Sequence, residues 1–346
     1  MMKSVRPGEV SMTRVSVIGL GYWGPNLARN FNAFSGTKLH SICDCDRGRL
    51  AAVGANYTTA KTCMDFTEVL SDDEVDAVVV ATPVHTHYEL AKAALNAGKH
   101  VLVEKPLTNS VETAEELAKL AKEKELILMV DHVFVYSSPV RKMKEIIDSG
   151  DLGDLFFVDS VRINLGLFQH DVNVVWDLAP HDLSIIDYLV GRLPKSIAAF
   201  GSIHAGAGLE DVAYVNLDFG DGMIANVHVN WLSPVKVRHM LIGASRKSIL
   251  YNDLDASEPV KIYDRGISIN GDPEARQGLM IGYRSGDVVS PHFTRREPLQ
   301  LMVEHFAECI RCGQKPLTSG EEGLRVVRIL DAAQRSIKAQ GGRITL

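Results

Sequence analysis

The stretch RVSVIGLGYWGPNLARNF, residues 14–31, constrains the fold more than any other. A β-rich run leads into Gly19, Gly21 and Gly24, spaced G-x-G-x-x-G, and then into a helical pattern. That motif is weak alone. It gains force from a strand before it, a helix after it and an acid about twenty residues on. Gly19 permits the tight turn, Gly21 lets the backbone approach a pyrophosphate, and Gly24 lets helix and strand pack closely. The helix N-terminus presents unpaired N–H groups to the phosphates. Pro25 is tolerated because a first-turn proline loses no intrahelical bond. Tyr22 and Trp23 lie within the loop and join the cofactor-binding candidates. The acid is Asp44, closing KLHSICD. Its carboxylate suits both ribose hydroxyls and repels a 2′-phosphate, so NAD is favoured over NADP. Arg47 and Arg49 follow and soften that preference. The plainer alternative is a glycine turn with no ligand.

DAVVVATP, HVLVEKP and LILMVDHV read as buried strands, with helical patterns between them. Such alternation predicts an α/β Rossmann domain with a doubly wound parallel sheet. Ligands in such sheets sit beyond the strand carboxyl ends. Thr82, Pro83, Glu104, Lys105, Asp131 and His132 therefore fall on the cofactor side. His85 and His87 lack a third ligand nearby, so no metal site is predicted; they read as loop and helix-start residues, His87 near the nicotinamide half. Tyr57 and Lys61 have the Y-x-x-x-K spacing of short-chain dehydrogenases but come too early in the chain, and read as surface residues.

Lys105 closes a buried strand between Glu104 and Pro106. A partly desolvated ammonium there has its pKa pulled down and can exchange protons near neutral pH. Pro106 suits a cis bond. The plainer reading is a surface lysine after a strand. Taken together, GLGYWG, ATPVHTHYELAKAALNAGKHVLVEKP and the later histidine in VWDLAPHDLSI resemble the Gfo/Idh/MocA family, from about Thr13 to Ile337. The resemblance implies an NAD(P)-dependent oxidoreductase of sugars, inositols or sugar nucleotides. It implies that Lys105 contacts the reacting alcohol. It also implies a catalytic acid and histidine in the second domain, here Asp177 and His181. The chain departs from the commonest family pattern: VNVVWD precedes in place of glycines, and Ser184 stands where an acid is frequent.

Pro180 predicts a helix starting near it and ending at Gly191, with His181 in the first turn. A helix N-terminus disfavours the imidazolium and Asp177 favours it, leaving a histidine able to cycle its proton near pH 7. On this reading Asp177 and Asp182 orient and tune His181. The bland alternative is a cap plus a hydrogen-bonded core histidine.

After about Tyr136 the pattern turns to successive strands with short turns, predicting an α+β domain with a large, mostly antiparallel open sheet. FGDG, residues 219–222, reads as a hairpin turn. SINGDPEARQGLMIGYRSGDVVSPHF, residues 268–293, reads as a long polar loop. The expected division is a frayed terminus over 1–12, a Rossmann domain over 13–135, a substrate-binding and oligomerisation domain over 136–318, and a closing helix and tail over 319–346. Tyr136, Arg162, Asn164, His170 and Trp176 are substrate-binding candidates.

Net charge is −6 with mixed signs, and no basic block interleaved with aromatics argues for nucleic acid. No apolar run reaches the roughly 18 residues of a membrane helix, and the start lacks a signal core. The five cysteines show no zinc spacing and read as reduced thiols in a cytoplasmic setting. The expected activity is hydride transfer between NAD and a ring secondary alcohol or ketone of a free or nucleotide-linked sugar, with C3 the favoured carbon. The alternatives are an inositol or other cyclic polyol dehydrogenase, and a non-catalytic NAD-binding sensor. The resemblance and one uncovered sheet face imply a homodimer or homotetramer.

Overall fold

A computed structural model describes residues 12–166, 168, 171–205, 208–270 and 280–346. The chain divides into two compact units: residues up to Ser137 with Arg296–Arg328, and Ser138–Arg295 with Ile329–Leu346.

The first unit runs β1 (Thr13–Ile18), α1 (Gly24–Ala33), β2 (Thr37–Cys43), α2 (Arg47–Gly54), β3 (Lys61–Cys63), α3 (Phe66–Ser71), β4 (Ala77–Val80), α4 (His87–Asn96), β5 (His100–Glu104), α5 (Val111–Glu123) and β6 (Leu128–Asp131). Among the described residues the strand order is β3-β2-β1-β4-β5-β6, parallel throughout. Every residue of β4 is buried, as expected of a strand covered on both faces. The order reverses between β1 and β4, where such sheets bind ligands at their carboxyl edge. Strand β3 escaped the sequence reading because KTC is short and polar; Lys61 is exposed there and pairs with Asp72.

The second unit holds α6 (Ser138–Asp148), β7 (Leu155–Leu165), α7 (Val174–Val190), β8 (Ser196–Ser202), β9 (Val212–Asp218), β10 (Ile224–Asn230), β11 (Leu232–Ala244), β12 (Ser248–Asn252), β13 (Val260–Asn270) and β14 (Met280–Val289). Its sheet, closed at one edge by β15 (Ile344–Thr345), has the order β14-β13-β12-β11-β7-β10-β9-β8-β15. In this second sheet only β7 and β10 pair parallel among the described strands. Ala199, Val215, Val227, Ser160 and Met240 form one buried cross-strand row. The opposite face is open, with Phe200, Tyr214 and Ile224 exposed.

The FGDG hairpin joins β9 to β10, with Gly220 and Gly222 at φ +78° and +90°. Three expectations are corrected. The polar segment read as a long loop instead supplies all of β14 and the end of β13, an antiparallel pair whose ladder depends on backbone groups and not on apolar alternation. Helix α8 (Pro298–Cys312), expected in the second domain, belongs to the first unit. It buries Met302, Val303 and Phe306, and Phe306 meets Phe31 of α1 edge to face at 6.1 Å. Nor is the closing segment separate: in α9 (Gly320–Lys338), Gly320–Arg328 count with the first unit and the remainder with the second.

Candidate active site

The glycine loop has the backbone geometry that the three predicted roles need. Gly19 has φ +95°, and a Cβ there would lie 2.6 Å from the Ala81 carbonyl oxygen. A Cβ on Gly24 would lie 2.0 Å from the Gly19 carbonyl oxygen, so α1 packs directly on the turn. A Cβ on Gly21 would meet nothing within 4 Å. The loop is thus open where a pyrophosphate would lie and tight where the backbone must close, and α1 offers its free N–H groups beside it. These residues fit NAD. Tyr22 is 78% exposed and stacks edge to face on Trp23 at 5.3 Å.

Asp44 is buried at the end of β2. Its Oδ2 accepts from the Leu20 N–H at 2.7 Å and its Oδ1 from the Asp46 N–H at 2.8 Å. The acid therefore first pins the glycine loop to β2. Each oxygen keeps a second lone pair for a ribose hydroxyl.

Thr82 and Pro83 follow β4, with Thr82 Oγ1 2.6 Å from Thr86 Oγ1. His87, expected near the nicotinamide half, is buried at the start of α4. Its Nε2 lies 2.8 Å from the Thr82 carbonyl oxygen and its Nδ1 2.9 Å from that of Pro106. The ring lies between the loop after β4 and the loop after β5, and in its neutral form one N–H donates to one of these two carbonyls. Burial pushes its pKa down, against those carbonyls.

Glu104 ends β5, buried, and accepts from the Lys105 N–H. The Lys105–Pro106 peptide is cis. Glu104 and Asp131 are register partners on β5 and β6, so Lys105 and His132 follow on adjacent strand ends. Burial pushes the Asp131 carboxyl up to about 7, although the Lys105 charge and the Val133 N–H pull it down. Burial pushes His132 down to about 3, and Lys105 acts in the same direction. Tyr136 is corrected from a pocket residue to a core one. Its hydroxyl lies 3.1 Å from Thr318 Oγ1, and its ring packs on His305 at 5.5 Å.

In the second unit, α7 carries Asp177 and His181. It does not start at Pro180. Asn173 caps it, its Oδ1 accepting from the Trp176 N–H at 3.1 Å, and Pro180 lies inside. Burial of eleven of its seventeen residues, with the cap, offsets the backbone bond the proline removes. His181 therefore sits well past the first turn, where the helix dipole no longer tunes it. Asp177 is the first-turn acid, and its Oδ2 accepts from Trp231 Nε1 at 3.2 Å.

Asp182 does not tune His181. It accepts from Arg162 Nε at 2.6 Å, from Arg162 Nη2 at 3.2 Å and from Ser160 Oγ at 2.9 Å. Arg162 is 3% exposed in that pair, so it is corrected from a substrate ligand to an anchor between β7 and α7. Asn164 lies half-buried two residues further along β7. Trp176 is half-buried on α7, and His170 lies outside the described residues. Ser184 donates to the His181 carbonyl at 2.9 Å, so it serves the helix and does not replace an acid. Sequence reasoning missed Asn173, Ser160 and Trp231; the first had a signal, an Asn just before an apolar helical run.

A glycine cradle on a parallel sheet, with a lysine at the neighbouring strand ends, defines a dinucleotide-binding oxidoreductase. Residues 13–132 match the oxidoreductase family with the NAD-binding Rossmann fold, and residues 140–249 match the GFO/IDH/MocA C-terminal domain. The chain belongs to the Gfo/Idh/MocA family, and NAD is its cofactor. It is similar to scyllo-inositol 2-dehydrogenase (NAD(+)) of Bacillus subtilis, 27% identical over 94% of each chain. It is similar to 2,7-anhydro-N-acetylneuraminate hydratase of Escherichia coli, 25% identical over 94% of this chain and 95% of the other. UDP-N-acetylglucosamine 3-dehydrogenase of Acidithiobacillus ferrooxidans is 28% identical over 91% of this chain and 94% of its own. The solved structure of that enzyme superposes with a TM-score of 0.79 over 95% of this chain and 99% of its own. Among the described residues, no helix is long and apolar enough to cross a membrane.

Proposed function

We propose that the chain interconverts a ring secondary alcohol and its ketone on a nucleotide-linked or free sugar, at C3 in the favoured case. Lys105, at the carboxyl end of β5 on the edge that carries the glycine cradle, is the observation that carries this reading. NAD, when bound, supplies the hydride acceptor. His181 takes the hydroxyl proton on an imidazole nitrogen while the carbinol C–H bond breaks and the C=O bond forms. Lys105 donates a hydrogen bond to that oxygen and stabilises its developing negative charge. Asp177 holds the imidazole and supports its charge. Asp44 receives the ribose hydroxyls. A cyclic polyol is the second substrate reading, favoured by the likeness to an inositol dehydrogenase.

The test is NADH formation by the purified chain with NAD and a panel of sugar nucleotides, free sugars and inositols. Lys105→Ala and His181→Ala each lower the rate by about 10²–10⁴-fold with NADH affinity unchanged. Full activity in both variants overturns the mechanism. NADH binding with no turnover on any alcohol makes the chain a sensor.

The reading includes a homo-oligomer. Phe200, Tyr214 and His228 form a cross-strand row on the open sheet face, the last two rings stacked at 4.2 Å. Exposed aromatics and Ile224 on one face suit a second copy of the chain.

A further inference from the structure

Strands β7 and β11 set two arginines side by side. Arg162 and Arg238 are register partners in that antiparallel pair, so both project from the sheet face on which Asp182 of α7 meets Arg162. Like charges directly opposite each other are destabilising, so each guanidinium needs its own counter-charge. Arg162 has Asp182, at 2.6 and 3.2 Å. Arg238 is served less fully. Its Nη1 lies 3.4 Å from Asp253 Oδ2, a long contact, and the other oxygen of that acid already accepts from the Tyr251 hydroxyl at 2.9 Å. Its Nε is buried with no hydrogen-bond partner among the described residues. With Nη1 turned to Asp253, the Nε–Nη2 edge is left over, and that edge is the planar fork that grips two oxygens of one anionic group. A buried N–H without an acceptor costs free energy, which an anion arriving from outside recovers. The side chain is 28% exposed, so such an anion can reach it.

The same end of the sheet carries part of the proposed proton-transfer machinery. Trp231, whose indole holds Asp177, directly precedes β11, and Val229, two residues earlier, is the register partner of Arg162 on β10. Between Leu232 and Val237 strand β11 bulges, and residues 233–236 stand opposite Asn164 alone. Bulges re-aim side chains and are frequent beside active sites. Lys236, exposed in this bulge, adds a positive charge two residues from Arg238. A fork and an ammonium together match a phosphate, with its charge of about −1.5 to −2 and its several acceptor oxygens; a carboxylate needs only the fork.

We propose that Arg238, assisted by Lys236, receives a phosphate group of the substrate, so that the sugars this chain works on are phosphorylated, as nucleoside diphosphate sugars or sugar phosphates. The inference rests on the sugar-substrate reading above and narrows it. The binding task expected of Arg162 passes one strand across, because Asp182 claims Arg162 and the fork of Arg238 is left for a ligand.

The experiment titrates the full chain, saturated with NADH so that the cofactor's own diphosphate site is filled, with UDP, inorganic diphosphate and uridine by isothermal calorimetry. UDP or diphosphate is expected to bind about tenfold more tightly than uridine or better, and Arg238→Gln to weaken that ligand by about tenfold or more. Arg238→Lys recovers part of the loss, since it restores the charge without the fork. Asp253→Asn tightens the same ligand by about threefold or more, since it removes a competing carboxylate. A preference for UDP over diphosphate supports a nucleotide-linked sugar, and the reverse a sugar phosphate. UDP and diphosphate binding no more tightly than uridine overturns the proposal. So does an affinity that Arg238→Gln leaves within about twofold while near-UV circular dichroism shows the variant folded. Should that variant not fold, an affinity that Asp253→Asn leaves unchanged overturns it instead. None of these readings needs turnover. NADH formation from unphosphorylated sugars alone refutes the subsite and spares the dehydrogenase reading, whereas phosphate-dependent binding without turnover does the reverse.

Discussion

Asp182→Ala is the sharpest perturbation of the second unit. It removes the carboxylate that is hydrogen-bonded to the Arg162 guanidinium, itself 3% exposed, and it strips Ser160 Oγ of its acceptor. Removing one partner of a buried pair costs about 3–5 kcal/mol, because an uncompensated charge stays buried. For a unit of this size about 1 kcal/mol moves the melting temperature about 2–4 °C, so the loss corresponds to roughly 6–20 °C. Arg162→Met with Asp182→Leu removes both charges and keeps apolar volume. That double variant is expected near wild-type stability or above it, since apolar replacement of a buried pair is neutral or stabilising by about 1–4 kcal/mol. Urea denaturation of the wild type, the single variant and the double variant measures all three. A single-variant loss under about 1 kcal/mol, or a double variant as weak as the single, refutes the view of Asp182 as a desolvated partner of Arg162.

Gly24→Ala should abolish NADH binding, because its Cβ would meet a backbone oxygen that cannot move aside. Gly21→Ala should leave the melting temperature unchanged and weaken NADH by about tenfold or more, read by fluorescence titration, since its Cβ enters only the space a pyrophosphate would take. Phe200→Glu with Tyr214→Glu, at exposed positions, should yield monomers by light scattering with the fold intact. His132 and Asp131 make opposite contributions to pH-dependent stability. His132, at about 3 folded and 6.5 unfolded, makes stability rise with pH between those values; Asp131, at about 7 folded and 3.8 unfolded, makes it fall with pH between those values. The two nearly cancel between about pH 4 and 6.5, so denaturant titrations of His132→Gln should show stability falling with pH there, and of Asp131→Asn rising. Equal slopes in both variants would remove the basis of that assignment.

The first unit was the legible one. G-x-G-x-x-G, Asp44 and Glu-Lys-Pro are local patterns whose chemistry depends on residues close in sequence or at strand ends, and each stands where its spacing put it. What the sequence hid was long-range. Arg162 reads as a free cation near the site until β7 brings it under α7, where Asp182, twenty residues on, claims it. Tyr136 reads as a pocket residue until Thr318, from the far end of the chain, caps its hydroxyl. That the His87 ring lies between two carbonyls is equally hidden in the sequence, because they belong to different loops. The β13–β14 pair was invisible because backbone ladders carry no side-chain signature in a polar, glycine-containing stretch.

Helix α7 shows how a chain can hold His181, the proton acceptor proposed above, on an element that a proline should weaken. Eleven of its seventeen residues are buried, so it is packed nearly all round and its polar groups need specific partners. Asp177 takes the Trp231 N–H just beyond β10, and Asp182 takes Arg162 and Ser160 of β7. At about 100° per residue, Asp177 and Asp182 lie about 140° apart around the helix, and His181 falls between them, about 40° from Asp177. Rotation of the helix in either direction is therefore opposed by one of the two clamps. Trp231→Phe removes the N–H together with part of a ring that is 1% exposed. The lost hydrogen bond costs about 1 kcal/mol and the smaller ring about 1–2 kcal/mol more, which lowers the melting temperature by several degrees without unfolding the unit. If Asp177 must be held for His181 to work, kcat falls by about tenfold or more while KM barely moves. A kcat equal to wild type would mean that the packing around α7 alone orients the histidine and the indole is only core.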